Sequence, residues 1–203
     1  KVCRLASFLK LKGLRILKQV KDKNEPYYLW VMGLVYSIGV GKIDKDWNEA
    51  IDYYIKSFEK GRRYSSCFIA SIFLDKGIKD IYNIKQGIEW LKKGVESNST
   101  YAMIELSKIY LISEDDVNYE KFKSYRNPEK GIELLQNAAN HGNGEAYWQL
   151  GNEYFYGNNV DKDDNKYFEY SKKAFELGNA TGANNLGAAY MDGTGCEKDI
   201  NKA

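Results

Sequence analysis

The stretch "LGNEYFYGNNVDKD" begins at Leu150, and "LGAAYMDGTGCEKD" begins at Leu186, 36 residues later. Both stretches read Leu-Gly-x-x-Tyr-x-x-Gly, and in both an Asp follows the final Gly after five intervening residues. Self-similarity at a period of about 20 to 50 residues is the signature of a repeat architecture. The spacing therefore predicts an array of short supersecondary units that carry this pattern.

The Gly of the Leu-Gly pair marks a series along the chain. Three positions after each small marker residue comes an aromatic or large apolar residue, and six positions after it comes another small residue. The predicted series is Gly33, Tyr36 and Gly39; Ser71, Leu74 and Gly77; Ser107, Tyr110 and Ser113; Gly151, Tyr154 and Gly157; and Gly187, Tyr190 and Gly193. Successive markers are 38, 36, 44 and 36 residues apart, so the third interval carries an insertion.

A second series predicts a partner helix in each repeat. Short polar side chains follow each marker where an N-cap is needed, because their oxygens can accept from the first free backbone amides. The predicted caps are Asp46, Asn83, Asn127, Asp163 and Asp199. The predicted ends of these second helices are Gly61, Asn98, Gly142 and Gly178, residues that tolerate the left-handed conformation after a helix. Each repeat is therefore predicted to be helix, short loop, helix.

The repeat boundaries follow from the two series. We predict one solenoid over residues 1–203, with a partial repeat at 1–24, repeats 1 to 4 at about 25–61, 62–98, 99–142 and 143–178, and a partial repeat 5 at 179–203. Within the first part, "GLRILKQVKDKN" fits the second-helix pattern over residues 13–24. One repeat cannot bury both helix faces alone, so stacking on neighbours completes the core. The chain lacks an initiator Met, and we expect it to be a piece of a longer product.

These motifs resemble the Sel-one-like repeat, a relative of the tetratricopeptide repeat. The resemblance is strongest in "AYWQLGNEYFYGNNVDKD" and "LGAAYMDGTGCEKD" and is good in "QGIEWLKKGVESN". Repeats of about 36 residues, rather than about 34, favour this family over plain tetratricopeptide repeats. The resemblance implies an all-α fold, a right-handed α-solenoid of stacked helix-turn-helix repeats. It also implies an adaptor or scaffold, in bacteria often for signalling, secretion or neutralising a partner protein.

Charge and hydropathy limit the partners. The chain has 30 Lys and Arg against 28 Asp and Glu, too even a balance for a nucleic-acid binder that neutralises phosphates. Residues 1–24 carry eight basic side chains, which we interpret as the solvated side of a terminal helix. The longest uncharged run, residues 27–41, is shorter than the roughly 20 residues that span a bilayer. It predicts a buried helix followed by a turn, not a transmembrane segment.

The cysteines predict neither a disulfide framework nor a zinc site. Cys3, Cys67 and Cys196 are far apart and form no Cys-x-x-Cys or Cys/His spacing. Unpaired cysteines favour a reducing compartment such as the cytoplasm. The secreted branch of the resembled family carries a paired cysteine bridge in each repeat. This chain lacks those pairs, which argues against that branch and its hydrolase activity.

Catalytic and metal motifs are incomplete. Ser-x-x-Lys at Ser7 and Ser57 lacks the Ser-Asp-Asn and Lys-Thr-Gly partners of acyl transfer. The acidic run at Asp161 lacks the Gly and the bidentate Glu of a calcium loop. His141, the only histidine, precedes a helix-ending Gly, where a cation meets the helix dipole favourably. We therefore predict a non-enzymatic chain without cofactor or metal. The alternative is a regulatory or substrate-recruiting segment of a larger enzyme.

A groove lined by the first helices is the predicted binding site for another protein or peptide. In the related tetratricopeptide architecture, first-helix residues away from the marker face form the concave surface. The predicted groove residues are Tyr27, Trp30, Leu34, Phe68, Ile72, Tyr101, Ile104, Lys108, Glu145, Trp148, Asn152, Phe155, Tyr156 and Asn184. The alternative is that these side chains pack between adjacent repeats, because a stripe at helical spacing is more often core than site.

The insertion in repeat 3 is a second candidate. Its sequence is "EDDVNYEKFKSYR", about seven residues longer than the matching loop of repeat 1. Insertions in repeat arrays usually map to loops on one face, often the binding face. The candidate contacts are Tyr119, Phe122, Tyr125 and Arg126. A solvated loop without function is the alternative.

Overall fold

The computed structural model describes residues 22–40, 43–75 and 81–203. Within these ranges the regular elements are helices, and no strand is present. The all-α prediction is therefore confirmed. The second helix predicted over residues 13–24 falls largely outside the described residues, as do Cys3, Ser7 and the motif residue Gly77.

The helices follow the predicted order of first and second helices. They are α1 (Pro26–Ile38), α2 (Trp47–Glu59), α3 (Ser65–Asp75), α4 (Ile81–Glu96), α5 (Thr100–Tyr110), α6 (Tyr119–Phe122), α7 (Pro128–Asn140), α8 (Gly144–Tyr156), α9 (Asp164–Glu176) and α10 (Ala180–Asp192). A 3₁₀ turn, Lys123–Tyr125, follows α6. The first helices are α1, α3, α5, α8 and α10, and α2, α4, α7 and α9 are their second helices.

The helices pack into two compact units. The N-terminal unit is Lys1–Asn98, in which α1 packs on α2 and α3 packs on α4, with α2 against α3. The C-terminal unit is Ser99–Ala203, in which α5 packs on α7, α8 on α9, and α9 on α10. The first helices α1, α3, α5 and α8 thus each pair with the second helix of their own repeat, as predicted. The single domain over residues 1–203 stays a prediction.

The second helices end in a left-handed turn at the predicted residues. Gly61, Asn98, Gly142 and Gly178 have φ angles of 92°, 58°, 76° and 76°. After α9, the N–H of Gly178 donates to the carbonyl of Phe175 (2.8 Å), and the N–H of Asn179 donates to that of Ala174 (2.9 Å). This pair of bonds is the Schellman motif, which satisfies carbonyls left free at the helix end.

The residue after the turn also begins the next helix. The side-chain oxygen of Asn179 accepts from the N–H of Gly182 at 2.7 Å. At the preceding junction, the side chain of Asn143 accepts from the N–H groups of Glu145 (3.0 Å) and Ala146 (3.3 Å). One Asn therefore closes one helix with its backbone and caps the next with its side chain.

The motif tyrosine closes the loop of repeats 1, 3, 4 and 5 through its backbone. The N–H of the cap donates to the tyrosine carbonyl in the pairs Asp46 and Tyr36 (3.0 Å), Asn127 and Tyr110 (2.9 Å), Asp163 and Tyr154 (2.9 Å), and Asp199 and Tyr190 (2.9 Å). In the two quoted stretches the Gly after the tyrosine is left-handed, with φ of 70° at Gly157 and 77° at Gly193. The shared pattern therefore encodes a loop of fixed length between helix end and cap.

Repeat 2 departs from the prediction at its cap. Asn83 lies inside α4, which begins two residues earlier at Ile81. The other four predicted caps accept backbone N–H groups: Asp46 from Asn48 and Glu49, Asn127 from Lys130, Asp163 from Lys166, and Asp199 from Asn201 and Lys202. The prediction is therefore wrong for Asn83 and confirmed for the rest.

The marker of repeat 2 is also shifted by one residue. Ser71 is exposed, whereas Ala70 is buried beneath α4. A Cβ added to Gly87 of α4 would lie 2.6 Å from Cγ of Leu74, four residues after Ala70. In repeat 3, a Cβ added to Gly131 of α7 would likewise lie 2.5 Å from Cγ of Leu111, four residues after the marker Ser107. The marker is therefore Ala70, and the aromatic residue three positions later is Phe73 rather than the predicted Leu74.

The marker glycines differ in how closely their helices approach. A Cβ added to Gly33 would lie 2.5 Å from the ring of Tyr54, which is fully buried on α2. A Cβ added to Gly151 would lie 3.6 Å from Oγ of Ser171, an ordinary van der Waals contact. Only Gly is compatible with the first crossing, whereas the second has room for a methyl group.

The insertion of repeat 3 is folded onto the C-terminal unit. Phe122 on α6 is buried. Arg126 donates from Nε to the carbonyl of Ile112 (3.1 Å) and from Nη2 to Oδ1 of Asn159 (3.0 Å). Asn159 in turn donates to Oε2 of Glu153 at 3.0 Å. These bonds tie the insertion to the loop after α8.

Glu153 lies at the inner end of this network. Burial raises the pKa of its carboxyl, and the hydrogen bonds from Asn159 offset part of that rise. An acid with a raised pKa binds its proton more tightly in the folded state than in the unfolded chain. Glu153 therefore destabilises the fold as pH rises above the pKa of the unfolded chain.

We expect the two marker glycines to respond differently to alanine. Gly33→Ala should lower stability by roughly 1–3 kcal/mol, because the methyl group overlaps the ring of Tyr54. Gly151→Ala should leave stability unchanged or raise it by up to about 1 kcal/mol, because Ala is the better helix former. Gly151→Arg should destabilise strongly, because a charged side chain would be buried. Urea unfolding followed by circular dichroism tests this, and equal stability of the two alanine variants would contradict it.

We expect Glu153→Gln to raise the melting temperature at pH 7, because it removes the cost of a partly buried charge and keeps an oxygen that accepts from Asn159. The gain should fade as pH drops towards about 4, where the unfolded chain also binds the proton. Thermal unfolding at a series of pH values measures this. Glu133→Gln on the exposed face of α7 is the control. A melting temperature at or below that of the wild type at pH 7 would contradict the burial penalty.

Candidate functional site

The predicted groove residues of the N-terminal unit differ in exposure. Trp30 is 9% exposed and belongs with Leu34 to the buried core. Tyr27 is 50% exposed, and Phe68 and Ile72 on α3 are half-buried. The prediction of an accessible groove floor is therefore wrong for Trp30 and Leu34. Tyr27, Phe68 and Ile72 stay candidates.

Aromatic rings surround Trp30. Its ring centroid lies 5.5 Å from that of Phe68, edge to face, and 5.7 Å from that of Tyr27. Phe68 lies 5.2 Å from Tyr54 and 5.0 Å from Tyr64. Such pairs contribute about 0.5–1.5 kcal/mol beyond area burial. The alternative interpretation, packing between helices of adjacent repeats, is therefore correct for Trp30.

In the C-terminal unit, one predicted residue is core and the others reach the surface. Ile104 is buried between helices, so the prediction is wrong for it. Tyr101 is 55% exposed, and Lys108 is exposed and pairs with Glu105 at 2.8 Å. Trp148 on α8 is half-buried. Trp148 thus differs from Trp30, although both lie three residues before a marker glycine.

Side-chain hydrogen bonds join the first helix of repeat 4 to that of repeat 5. Asn185 donates to Oδ1 of Asn152 at 2.9 Å. Glu145 accepts from Gln149 at 3.1 Å and from Asn179 at 3.5 Å. An amide has two N–H donors and an oxygen with two lone pairs, so each of these amides keeps further bonding capacity. Glu145 and Asn152 are therefore aligned by their neighbours and can still contact a partner.

The remaining predicted groove residues lie at the end of α8 and within α10. Tyr156 is 66% exposed, and Asn184 is exposed. Phe155 is half-buried, with its ring 5.0 Å from Tyr156 and 4.7 Å from Tyr167 of α9. Phe155 thus supports the exposed ring of Tyr156.

The candidate contacts of the insertion divide in the same way. Phe122 is buried, so its prediction as a partner contact is wrong. Arg126 is bonded to Ile112 and Asn159 but is exposed, so its role in binding stays a prediction. Tyr119 and Tyr125 are half-buried. Their role in binding stays a prediction.

Sequence reasoning missed two residues, Arg62 and Asn185. The guanidinium of Arg62 lies over the ring of Trp30, 4.5 Å from its centroid. Asn185 aligns Asn152 from the adjacent repeat. The sequence did contain a signal for Arg62. It follows the left-handed residue of its junction, and the residue at that place in the later junctions is one whose side chain can cap a helix. No comparable signal predicts Asn185, because the pairing depends on the register between neighbouring helices.

The other polar candidates have structural roles. His141 is the C-cap of α7, with Nδ1 2.7 Å from the carbonyl oxygen of Asn137, which confirms its predicted place at a helix end. Within the described ranges, no cluster of three or more His, Cys, Asp or Glu side chains could hold a metal ion. No helix in that part of the chain is both long enough and apolar enough to cross a bilayer.

Comparisons with known proteins agree with this repeat structure. The Sel1 repeat family, that is, the Sel-one-like repeat, matches residues 26–61, 66–99, 100–143, 144–179 and 180–203. No curated protein matches the chain. Among solved structures, a Sel1 repeat protein from Oxalobacter formigenes aligns with a TM-score of 0.74 and 25% identity, over 100% of this chain and 80% of that one.

Two further solved structures are similar at lower identity. The immunity protein Pa5087 from Pseudomonas aeruginosa aligns with a TM-score of 0.58 and 19% identity, over 90% of this chain and 67% of that one. The antigen c5321 from uropathogenic Escherichia coli, described as displaying an SLR fold, has a TM-score of 0.40 and 18% identity. The alignment covers 99% of this chain and 50% of the antigen, so this chain spans about half of its length.

The family matches extend from residue 26 to residue 203, in segments that agree with the helix pairs. Together with the structural similarity, they confirm the predicted fold class, an α-solenoid of helix-turn-helix repeats of about 36 residues. The chain therefore belongs to the Sel1 repeat family.

Proposed function

We propose that this chain is a scaffold that binds a segment of another protein along its first helices. Sel1 repeat proteins are typically non-enzymatic helical scaffolds that mediate protein interactions, which supports the general class. The specific surface is our inference from the side chains. The observation that carries it is the set of aromatic rings that keep exposure on first helices.

Polar side chains also lie on the first helices. The aromatic members are Tyr27, Tyr101, Trp148 and Tyr156, and the polar members are Lys108, Glu145, Asn152 and Asn184. Tyr and Trp are enriched among the residues that dominate binding energy at protein interfaces, where truncation commonly costs about 2 kcal/mol or more. Exposed aromatic rings on helices that otherwise bury their apolar residues support a partner surface.

The charge distribution favours the first helices over the second helices. Helix α1 has no charged residue, and α3 and α10 each have one, Asp75 and Asp192, near their C-terminal ends. The second helix α9, in contrast, alternates acidic and basic residues over most of its length. Depletion of charge is typical of the core of an interface, whereas mixed charge is typical of a solvated face.

Finer roles stay predictions. Signalling, secretion-associated and toxin-neutralising functions are implied by the family resemblance, and the structural similarity to the immunity protein supports the shared fold alone. A regulatory or substrate-recruiting segment of a larger enzyme is the second candidate. Hydrolase activity of the cysteine-rich secreted branch stays disfavoured, because this chain lacks that branch's cysteine pairs.

We expect Trp148→Ala to abolish capture of the partner while lowering stability less than truncation of a buried tryptophan, because Trp148 is only half-buried. The measurement is affinity capture from the native host followed by mass spectrometry, repeated with each variant, together with thermal unfolding. Phe175→Ala is the control, because Phe175 is an exposed aromatic residue (53%) that lies on the second helix α9 instead of a first helix. Equal loss of the partner with both variants, or none with Trp148→Ala, would reject the surface.

We expect the opposite result for Trp30→Ala. Its indole is buried among aromatic rings, so truncation should lower stability by roughly 3 kcal/mol or more. Chemical unfolding measures that loss directly. A variant as stable as the wild type would mean that Trp30 does not belong to the core.

A further inference from the structure

Arg62 occupies a repeat junction at which its side chain cannot cap a helix. Its N–H donates to the carbonyl of Ser57 (3.0 Å), as the residue after the left-handed turn does at later junctions, and its carbonyl accepts from the N–H of Ser65. The residues that cap the later first helices are Ser99, Asn143 and Asn179. An arginine side chain has no acceptor. The local rule is therefore broken at this junction.

The guanidinium of Arg62 is instead held by two aromatic rings. Its central carbon lies 4.5 Å from the ring centroid of Trp30 and 5.1 Å from that of Tyr27. These two rings also contact each other, with centroids 5.7 Å apart. Tyr27 is the half-exposed member, so the cluster reaches the surface beside it.

Two buried N–H donors of this cluster lack an acceptor. Within the described residues, neither Nε of Arg62 nor Nε1 of Trp30 has a hydrogen-bond partner, and both atoms are inaccessible to solvent. Most buried polar groups in folded proteins are paired, so each exception requires an explanation. Two donors in one cluster, one of them on a cation, indicate that an acceptor oxygen completes it.

Among the described residues, no ion pair supplies a carboxylate to this cluster. None of the ion pairs among the described residues involves Lys60, Arg62 or Arg63, which are adjacent in the turn between α2 and α3. Glu25, the nearest acid on the α1 side in sequence, caps α1 by accepting from the N–H of Tyr28 at 2.9 Å. The turn therefore has a local excess of positive charge.

We propose that Arg62, Trp30 and Tyr27 form a subsite for the carboxylate of an acidic side chain on the bound protein segment. This inference rests on the proposed function and adds the chemistry of the partner. A carboxylate is planar and can accept two parallel hydrogen bonds from a guanidinium. An Asp or Glu side chain of the bound segment presents such a carboxylate. Both donors are buried, so the half-exposed Tyr27 ring would have to give way for the carboxylate to reach them.

The test follows the indole N–H signal of Trp30 in the ¹⁵N-labelled full chain by NMR. The probe is capped hexaglutamate, and capped hexaglutamine is its neutral control. The signal is assigned by its loss in Trp30→Phe, which keeps an aromatic ring, and independently by its perturbation in Arg62→Gln. We expect a saturable shift with hexaglutamate and none with hexaglutamine.

The variants separate a specific contact from general charge. Arg62→Gln should weaken hexaglutamate binding by about tenfold or more, which corresponds to about 1.4 kcal/mol. Arg63→Gln removes the same charge from the exposed neighbouring residue and should change affinity less than about threefold. Circular dichroism confirms that each variant is folded. An equal effect of the two variants would overturn the proposal.

Two other results would also overturn it. One is the absence of any shift of the Trp30 signal with hexaglutamate. The other is a shift with inorganic phosphate at equal affinity, which would make the cluster a general anion site. Neither result affects the capture experiment with Trp148→Ala and Phe175→Ala, so failure of this subsite is distinguishable from failure of the proposed function.

Discussion

The structure depends on the short turn at which one second helix ends and the next first helix begins. A helix leaves carbonyls unpaired at its C-terminus and N–H groups unpaired at its N-terminus. Asn143 and Asn179 each pair groups at both helix ends. The backbone N–H bonds a carbonyl of the preceding helix, and the side chain caps the following helix. The connection therefore has little freedom. It sets where each first helix begins, and with it which side chains reach the surface.

Glycine recurs in the repeats for more than one physical reason. At Gly33 the partner ring leaves no room for a Cβ, whereas Gly151 has that room. In repeats 2 and 3 the crowded glycine lies on the second helix, where an added Cβ on Gly87 or Gly131 would lie within 2.6 Å of a leucine. Repeats 1 to 3 thus each have one crowded glycine, which lies on either helix of the pair, whereas Gly151 in repeat 4 is not crowded.

The sequence predicted the features that depend on local physics. The left-handed residues and four caps depend on a few neighbouring backbone groups, and their residue types are selective. The errors in repeat 2 arose where selectivity was weak, because Ala70 and Ser71 are both small and Asn83 suits a cap as well as a helix turn. The burial of the groove residues could not be predicted from local pattern. Trp30 and Trp148 share a register, and only Trp30 is covered by Phe68 and Arg62.

A repeat protein offers an internal control that single-copy folds lack, because each position is observed several times in one chain. At the junctions, Ser99, Asn143 and Asn179 show what helix capping alone selects. Arg62 also directly follows the left-handed residue of its junction, but its side chain cannot accept the hydrogen bond of a cap. Its guanidinium lies on two aromatic rings of a first helix instead. Natural sequences break a local rule most often at functional or strained sites. The backbone turn at Arg62 is intact, with φ of 92° at Gly61 and the closing bond to Ser57, so strain does not account for the exchange. The proposed carboxylate subsite is the explanation that we offer for it.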